Sequence, residues 1–292
     1  MKRAALVPLL ALPLLLLALR TKEIPSPHAP MVRPPLPTPA LPELKPPFTF
    51  ALYGDMRSGH EAHAAVLKQI LATEAKFVIT TGDLSYRADD DASWAKWQEI
   101  TEGVRTKLPY YSAKGNHDVG KKGRFETEFK LESAYFDKVL GNIHFFFIDS
   151  NAWNEAQSDW LKKAVAASTS THRLAVLHHP CFTLTPFRQK ESAGTREKLH
   201  ALLRELRVCA VLCGHDHVFY TTRRDDLRYV TTGGGGAPLY EASDKLAQEG
   251  DLFRKFHHYL LVTVEESSLS ARVFDNEGKE AEELKFGLCA HQ

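Results

Sequence analysis

The stretch FTFALYGDMRSGHEAH, residues 48–63, runs from apolar residues through a glycine and a carboxylate into a segment with helical spacing. Its first six residues have the length and aromatic content of a buried strand. Gly54 permits a sharp turn, so Asp55 is delivered at the strand's carboxyl end. His60 and His63 follow, and the stretch reads as half of a metal site. Two residues after Asp55, however, stands Arg57, which carries only donors and cannot be a ligand.

The same syntax recurs along the chain. Strands are predicted at 48–53, 76–81, 110–114, 143–149, 173–178 and 208–213, with helices around 60–73, 92–101, 124–132, 156–167 and 194–205. After Gly214 the pattern becomes alternating and hairpin-like, which predicts a mostly antiparallel finish to an α/β domain. Polar punctuation follows the early strands: Gly54-Asp55, Gly82-Asp83, Gly115-Asn116-His117-Asp118, His178-His179-Pro180 and Gly214-His215-Asp216-His217. In open α/β sheets ligands bind outside the carboxyl ends of the strands, so these five segments are expected to converge. Any one of them alone could be a capped turn. Together they offer enough oxygen and nitrogen donors for two divalent or trivalent ions, with one carboxylate able to bridge.

In this order, GD, GDLSY, GNHD, LHHP and GHDH resemble the calcineurin-like metallophosphoesterase superfamily, over about residues 48 to 275. The resemblance implies a four-layer α/β/β/α sandwich of the metallophosphoesterase type and a dinuclear centre of Fe, Zn or Mn. Carried over residue by residue, it implies Asp83 as the bridging carboxylate. Asn116, His178 and His215 would complete one metal site, and Asp55 with His217 the other. Asp55-Met56-Arg57 departs from the superfamily's frequent DxH and leaves the first metal, held by Asp55 and His217 with Asp83, one donor short. GDLSY is similar to the GDxxY motif of purple acid phosphatases, which makes Tyr86 the expected replacement and His63 the fallback.

The implied reaction is hydrolysis of a phosphate monoester or diester by a hydroxide bridging the two ions. His117, beside Asn116, is expected to stabilise developing charge or protonate the leaving alcohol, with Asp118 orienting it. The planar fork of Arg57 suits a phosphate oxygen, and His179 is a second candidate for substrate contact. Two other readings use the same residues: a non-catalytic binding module on this scaffold, and a hydrolase of a lipid-linked diphosphate.

Bulk properties narrow the partners. Thirty-seven Lys and Arg balance 36 Asp and Glu, so no global field points to nucleic acid, and the expected partner is a phosphorylated small molecule or other ester. The sequence sets no oligomeric state. Residues 1–23 hold a basic start and an apolar run from Ala4 to Leu19, the layout of a signal peptide or N-terminal membrane anchor, so the protein is expected to be exported: periplasmic, secreted or held by a membrane tether. Residues 24–47 contain ten prolines and read as an extended linker ahead of a catalytic domain at 48–292. Cys181, Cys209, Cys213 and Cys289 lack metal or redox spacing and read as buried thiols, some of which an exported protein could pair. Gly233 to Gly236 read as a tight turn near the site, and Trp94 and Trp97 as packing residues.

Overall fold

A computed structural model describes residues 32–287. The opening strand, β1 (Phe48–Tyr53), is followed by α1 (His60–Leu71), β2 (Val78–Thr80), α2 (Asp91–Arg105), β3 (Tyr110–Ser112) and α3 (Arg124–Phe129). A second run contains β4 (Phe136–Leu140), β5 (Ile143–Phe147), α4 (Glu155–Ala166), β6 (His172–Val176), α5 (Gln189–Glu205) and β7 (Ala210–Cys213). The chain ends with β8 (Phe219–Arg224), β9 (Leu227–Thr232), β10 (Leu252–Arg254), β11 (His258–Val264), β12 (Leu269–Asp275) and β13 (Glu280–Gly287).

Two sheets result, ordered β13-β12-β11-β1-β2-β3 and β10-β8-β9-β7-β6-β5-β4. β1, β2 and β3 are mutually parallel, as are β5, β6, β7 and β9, while β11 to β13 and the flanking pairs are antiparallel. Strand alternation assigns the layers. Phe50, Leu52, Phe145, Phe147, Leu174, Val176 and Leu212 point into a core between the sheets. Their neighbours on the first sheet, Ala51, Tyr53 and Val78, pack on Val66, Ile70, Trp94 and Trp97 of α1 and α2. On the second sheet Phe146, Ala175 and Val211 pack on Leu161, Leu199 and Leu203 of α4 and α5. The expected α/β/β/α sandwich is therefore present, and both tryptophans are packing residues. Phe50 anchors the central layer, stacked on Phe77 at 5.0 Å between ring centroids and edge-on to Phe145 at 5.4 Å.

The sequence reading missed β4, an edge strand whose middle residues Asp137, Lys138 and Val139 are all exposed and carry no alternation. The linker reading also changes. Residues 32–47 form no helix or strand, yet Val32, Leu41 and Leu44 pack against the cores, and the backbone of Arg33 exchanges hydrogen bonds of 2.8 and 2.9 Å with the Gln98 side chain. This part of the proline-rich segment is a strap laid on the domain. The signal or anchor expected at 1–23, and Cys289, lie outside the described residues. Among the described residues no helix is long and apolar enough to cross a membrane. Cys209 is disulfide-bonded, whereas Cys181 and Cys213 are buried free thiols.

His63, the fallback ligand, requires a correction. It lies on the buried face of α1, 1% exposed, with Nε2 3.1 Å from the Tyr53 hydroxyl, which in turn is 2.7 Å from the Tyr110 hydroxyl. The helix that carries it turns its ring into the packing layer against β1, so it serves the core. Burial, reinforced by His60, lowers its pKa from 6.5 to about 3, so the imidazole is neutral in the fold. The unfolded chain takes up a proton there and the folded chain does not, so this contribution to stability is complete above pH 6.5 and is lost as pH falls toward about 3. In chemical denaturation between pH 6.5 and 4, the native protein should lose up to roughly 1.4 kcal/mol per pH unit more than His63→Gln. Parallel pH curves for the two proteins would contradict the assignment.

Candidate metal centre

The carboxyl ends of the parallel strands of both sheets deliver the polar segments to one place. Asp55 follows β1, Asp83 follows β2, Asn116 to Asp118 follow β3, His178 and His179 follow β6, and His215 to His217 follow β7. Asp55, Asp83 and His215 occupy the left-handed region, with φ of 59°, 57° and 70°. Non-glycine residues adopt it at a cost, and three of them at one site mark a geometry enforced by the surrounding fold. The adjacent glycines make room: a Cβ on Gly115 would stand 2.2 Å from the Asp83 nitrogen and Oδ1, and one on Gly214 would stand 2.4 Å from Asp55 Oδ2.

Two groups of potential ligand atoms lie side by side, each within 4.8 Å internally: Asp55, Asp83 and His217, and His178, His179 and His215. Asp83 connects them. Its Oδ1 is 3.3 Å from His178 Nε2 and accepts the His117 backbone N–H at 2.9 Å, while its Oδ2 faces the first group. Asn116 Oδ1 joins the histidine group, 2.9 Å from His178 Nε2 and 3.0 Å from His215 Nδ1.

The outward nitrogens fix which atoms point inward. His178 Nδ1 donates to the Thr81 carbonyl at 2.8 Å, His217 Nδ1 to the Pro238 carbonyl at 2.7 Å, and His215 Nε2 to the Glu191 carboxylate at 2.8 Å. Burial lowers the pKa of His178 to about 4 and of His217 to about 3, so these rings are neutral and their inward nitrogens present lone pairs. Three acceptors, Asn116 Oδ1, His178 Nε2 and His215 Nδ1, thus crowd within 3.1 Å of one another with no proton to share. In the first group Asp55 Oδ1 is buried and has no hydrogen-bond partner. Burial and the neighbouring Asp83 push the Asp55 pKa well above the carboxylate range. Burial acts on Asp83 in the same direction, but His178, His117 and Arg57 outweigh it and hold Asp83 below its usual value. Converging lone pairs and an orphaned buried carboxylate oxygen fit a site for cations, with the oxygen and imidazole donors that Fe, Zn and Mn accept.

The structure redistributes several expected roles. Tyr86 is 46% exposed, and its ring stacks on His117 with centroids 6.1 Å apart. Within the first group Arg57 donates from Nε to Asp83 Oδ2 at 3.1 Å and brings a terminal nitrogen to 3.4 Å from His217 Nε2, an atom that the Tyr240 hydroxyl also approaches at 3.4 Å, while the His215 backbone N–H donates to Asp55 Oδ2 at 2.9 Å. Asp118 does not orient the His117 ring. Its carboxylate accepts backbone N–H groups from Asp83, Leu84, Ser85 and Gly115, stitching the second and third motifs together, while His117 Nδ1 meets the Tyr86 carbonyl at 2.8 Å. His179 belongs to the histidine group and also lines the adjoining cleft; its Nδ1 is 2.9 Å from Ser150 Oγ. The glycine run is a backbone feature, with Gly235 N–H donating to the Gly54 carbonyl at 2.7 Å.

Three functional neighbours were invisible in the sequence. Glu191 on α5 bonds His215 and, through an ion pair at 2.8 Å, Arg188; Tyr240 stacks on His217 at 4.1 Å, and Arg188 lies over the Tyr240 ring. None belongs to a strand-end motif. Only the acid beside basic residues at the start of a helix hints at them, and that pattern is common on solvated helices. Beyond Asn116 and His179 opens a cleft of about 730 Å³ lined also by Phe187, Lys190 and Lys198.

Comparison with known proteins agrees with this geometry. The family model for calcineurin-like phosphoesterase matches residues 48–219. Tartrate-resistant acid phosphatase type 5 of Mus musculus is 25% identical over an alignment 213 residues long that covers 58% of this chain and 64% of that protein. Purple acid phosphatase 23 of Arabidopsis thaliana is 21% identical over an alignment 243 residues long that covers 65% of this chain and 53% of that protein. The chain thus spans less than two thirds of these relatives. Among solved structures, purple acid phosphatase PPD1 from yellow lupin (Lupinus luteus) seeds superposes with a TM-score of 0.72 at 17% identity, covering 82% of this chain and 53% of that one. GAP50, the anchor in the inner membrane complex of Plasmodium, superposes with a TM-score of 0.67 at 16% identity, covering 82% and 89%. With the family match extending from β1 into β8, across every strand end that delivers a donor, the chain belongs to the calcineurin-like phosphoesterase family.

Proposed function

We propose that the protein is a metal-dependent phosphoesterase that hydrolyses phosphate monoesters or diesters at a two-cation centre. The observation that carries this reading is the position of Asp83 between two groups of inward-facing donors. Asn116, His178 and His215 with Asp83 would hold one cation, and Asp55 and His217 with Asp83 the other. Bound there, such ions supply Lewis-acid chemistry: they lower the pKa of water and neutralise phosphate oxygens.

The chain's own residues supply the rest. Thr81, Pro238 and Glu191 fix the tautomers, keeping lone pairs on the inward nitrogens. His117 projects from the third motif with Nδ1 donating to the Tyr86 carbonyl, which leaves Nε2, when the ring carries both protons, to give one to the leaving group. The cleft beyond Asn116 and His179 would receive part of the substrate, and there Lys190 and Lys198 outnumber Glu191 and favour an anionic group. Export is part of the same proposal. The apolar start of the sequence and the disulfide at Cys209 both suit an oxidising compartment.

Two outcomes test this reading. Chelator-treated protein should hydrolyse an aryl phosphate only after addition of Mn²⁺, Zn²⁺ or Fe, and Asp83→Ala should remain at least about 100-fold below the native rate with every metal. Absence of hydrolysis across all three metals and both ester classes would overturn it. His117→Ala should lower kcat by roughly 100-fold on an alkyl phosphate and much less on p-nitrophenyl phosphate, whose leaving group needs no proton. Equal losses on the two substrates would remove His117 from that role.

A further inference from the structure

Arg57 stands where the sequence departs from its family, and its side chain does not point to solvent. It is 13% exposed, beside an Asp83 side chain that is 2% exposed. Its Nε–H donates to Asp83 Oδ2 at 3.1 Å, and a terminal nitrogen reaches 3.4 Å from His217 Nε2, which the Tyr240 hydroxyl meets at the same distance. His217 Nδ1 is committed to the Pro238 carbonyl, so the atom that faces Arg57 is the lone pair a cation would use. Two of the three ligand atoms of the Asp55, Asp83 and His217 group are therefore engaged by a permanently charged side chain. Among the described residues no arginine or lysine hydrogen-bonds the inward atoms of Asn116, His178 and His215, which face one another. Arg57 also lines a cavity of about 400 Å³ shared with Ser58, His60, Tyr86 and Asp90, which gives the side chain a place to withdraw to.

We propose that Arg57 is a built-in cationic occupant of the first metal position. The protein takes one cation readily on the Asn116, His178 and His215 side, and takes a second only by displacing the guanidinium from Asp83 and His217. This rests on the phosphoesterase reading and adds to it an ordered, unequal loading of the two positions. In the singly loaded state Arg57 supplies the second positive charge beside Asp83, with a fork able to bond a phosphate oxygen.

The test is calorimetric titration of chelator-treated full-length protein with Zn²⁺, and separately with Mn²⁺, with bound metal counted by elemental analysis after desalting. The native protein should retain one ion tightly and bind a second at least about tenfold more weakly, because charge-assisted hydrogen bonds must break first. Arg57→Ala should bring the second ion to within a few-fold of the first, and Arg57→Gln, which keeps a polar side chain without the charge, should move it the same way. Two equally tight ions in the native protein, or a second affinity unchanged in both variants, would overturn the inference while leaving the phosphoesterase reading intact. If the stoichiometry shifts as expected and no ester is hydrolysed under any loading, the inference stands and the phosphoesterase reading falls.

Discussion

The donors around Asp83 repel one another unless positive charge lies among them. Neutral imidazoles with committed outer nitrogens, an asparagine oxygen and two buried carboxylates all aim inward, and the burial that shields them from water also removes the solvent that could ease the repulsion. Much of the molecule is arranged to hold that unfavourable cluster. Three ligand-bearing residues sit at positive φ, glycines give way to neighbouring carboxylates, and Asp118 uses its whole carboxylate to tie the backbones of the second and third motifs together. The two-sheet core gives this scaffolding its stiffness. Each parallel strand ends at the cluster, and each is anchored by apolar residues on both of its faces.

The legible part of the fold is the part governed by local rules. β1 and β5 are legible as short apolar runs ended by glycine or polar residues, whereas the choice of Phe50 and Leu52 for one layer and Ala51 and Tyr53 for the other is made only by the packed sheets. The site was legible for the same reason, because a glycine and a metal-competent residue after a strand place the donor at the crevice. β4 escaped because an exposed edge strand has no buried face to print a pattern. Glu191 and Tyr240 escaped because they reach the imidazoles from α5 and from a loop after β9, and only tertiary packing decides which residues meet there.

His63 and Arg57 illustrate the two ways in which spacing misleads. A histidine at the right distance in sequence sits on the buried side of its helix, where Tyr53 rather than a cation claims Nε2. An arginine excluded as a ligand nevertheless hydrogen-bonds Asp83 and approaches His217, since a guanidinium brings its own positive charge to such donors. The strap of residues 32–47 adds a third case: proline density describes the backbone correctly as extended, but Leu41 and Leu44 determine that it lies on the core.

Whether Asp83 joins two donor groups built for cations is tested by anomalous diffraction at the zinc edge from crystals of the protein loaded with Zn²⁺. An anomalous peak bounded by Asp83, Asn116, His178 and His215 is expected, with weaker density between Asp55 and His217. A protein that crystallises from excess metal with no peak against Asp83, Asn116, His178 or His215 would contradict it.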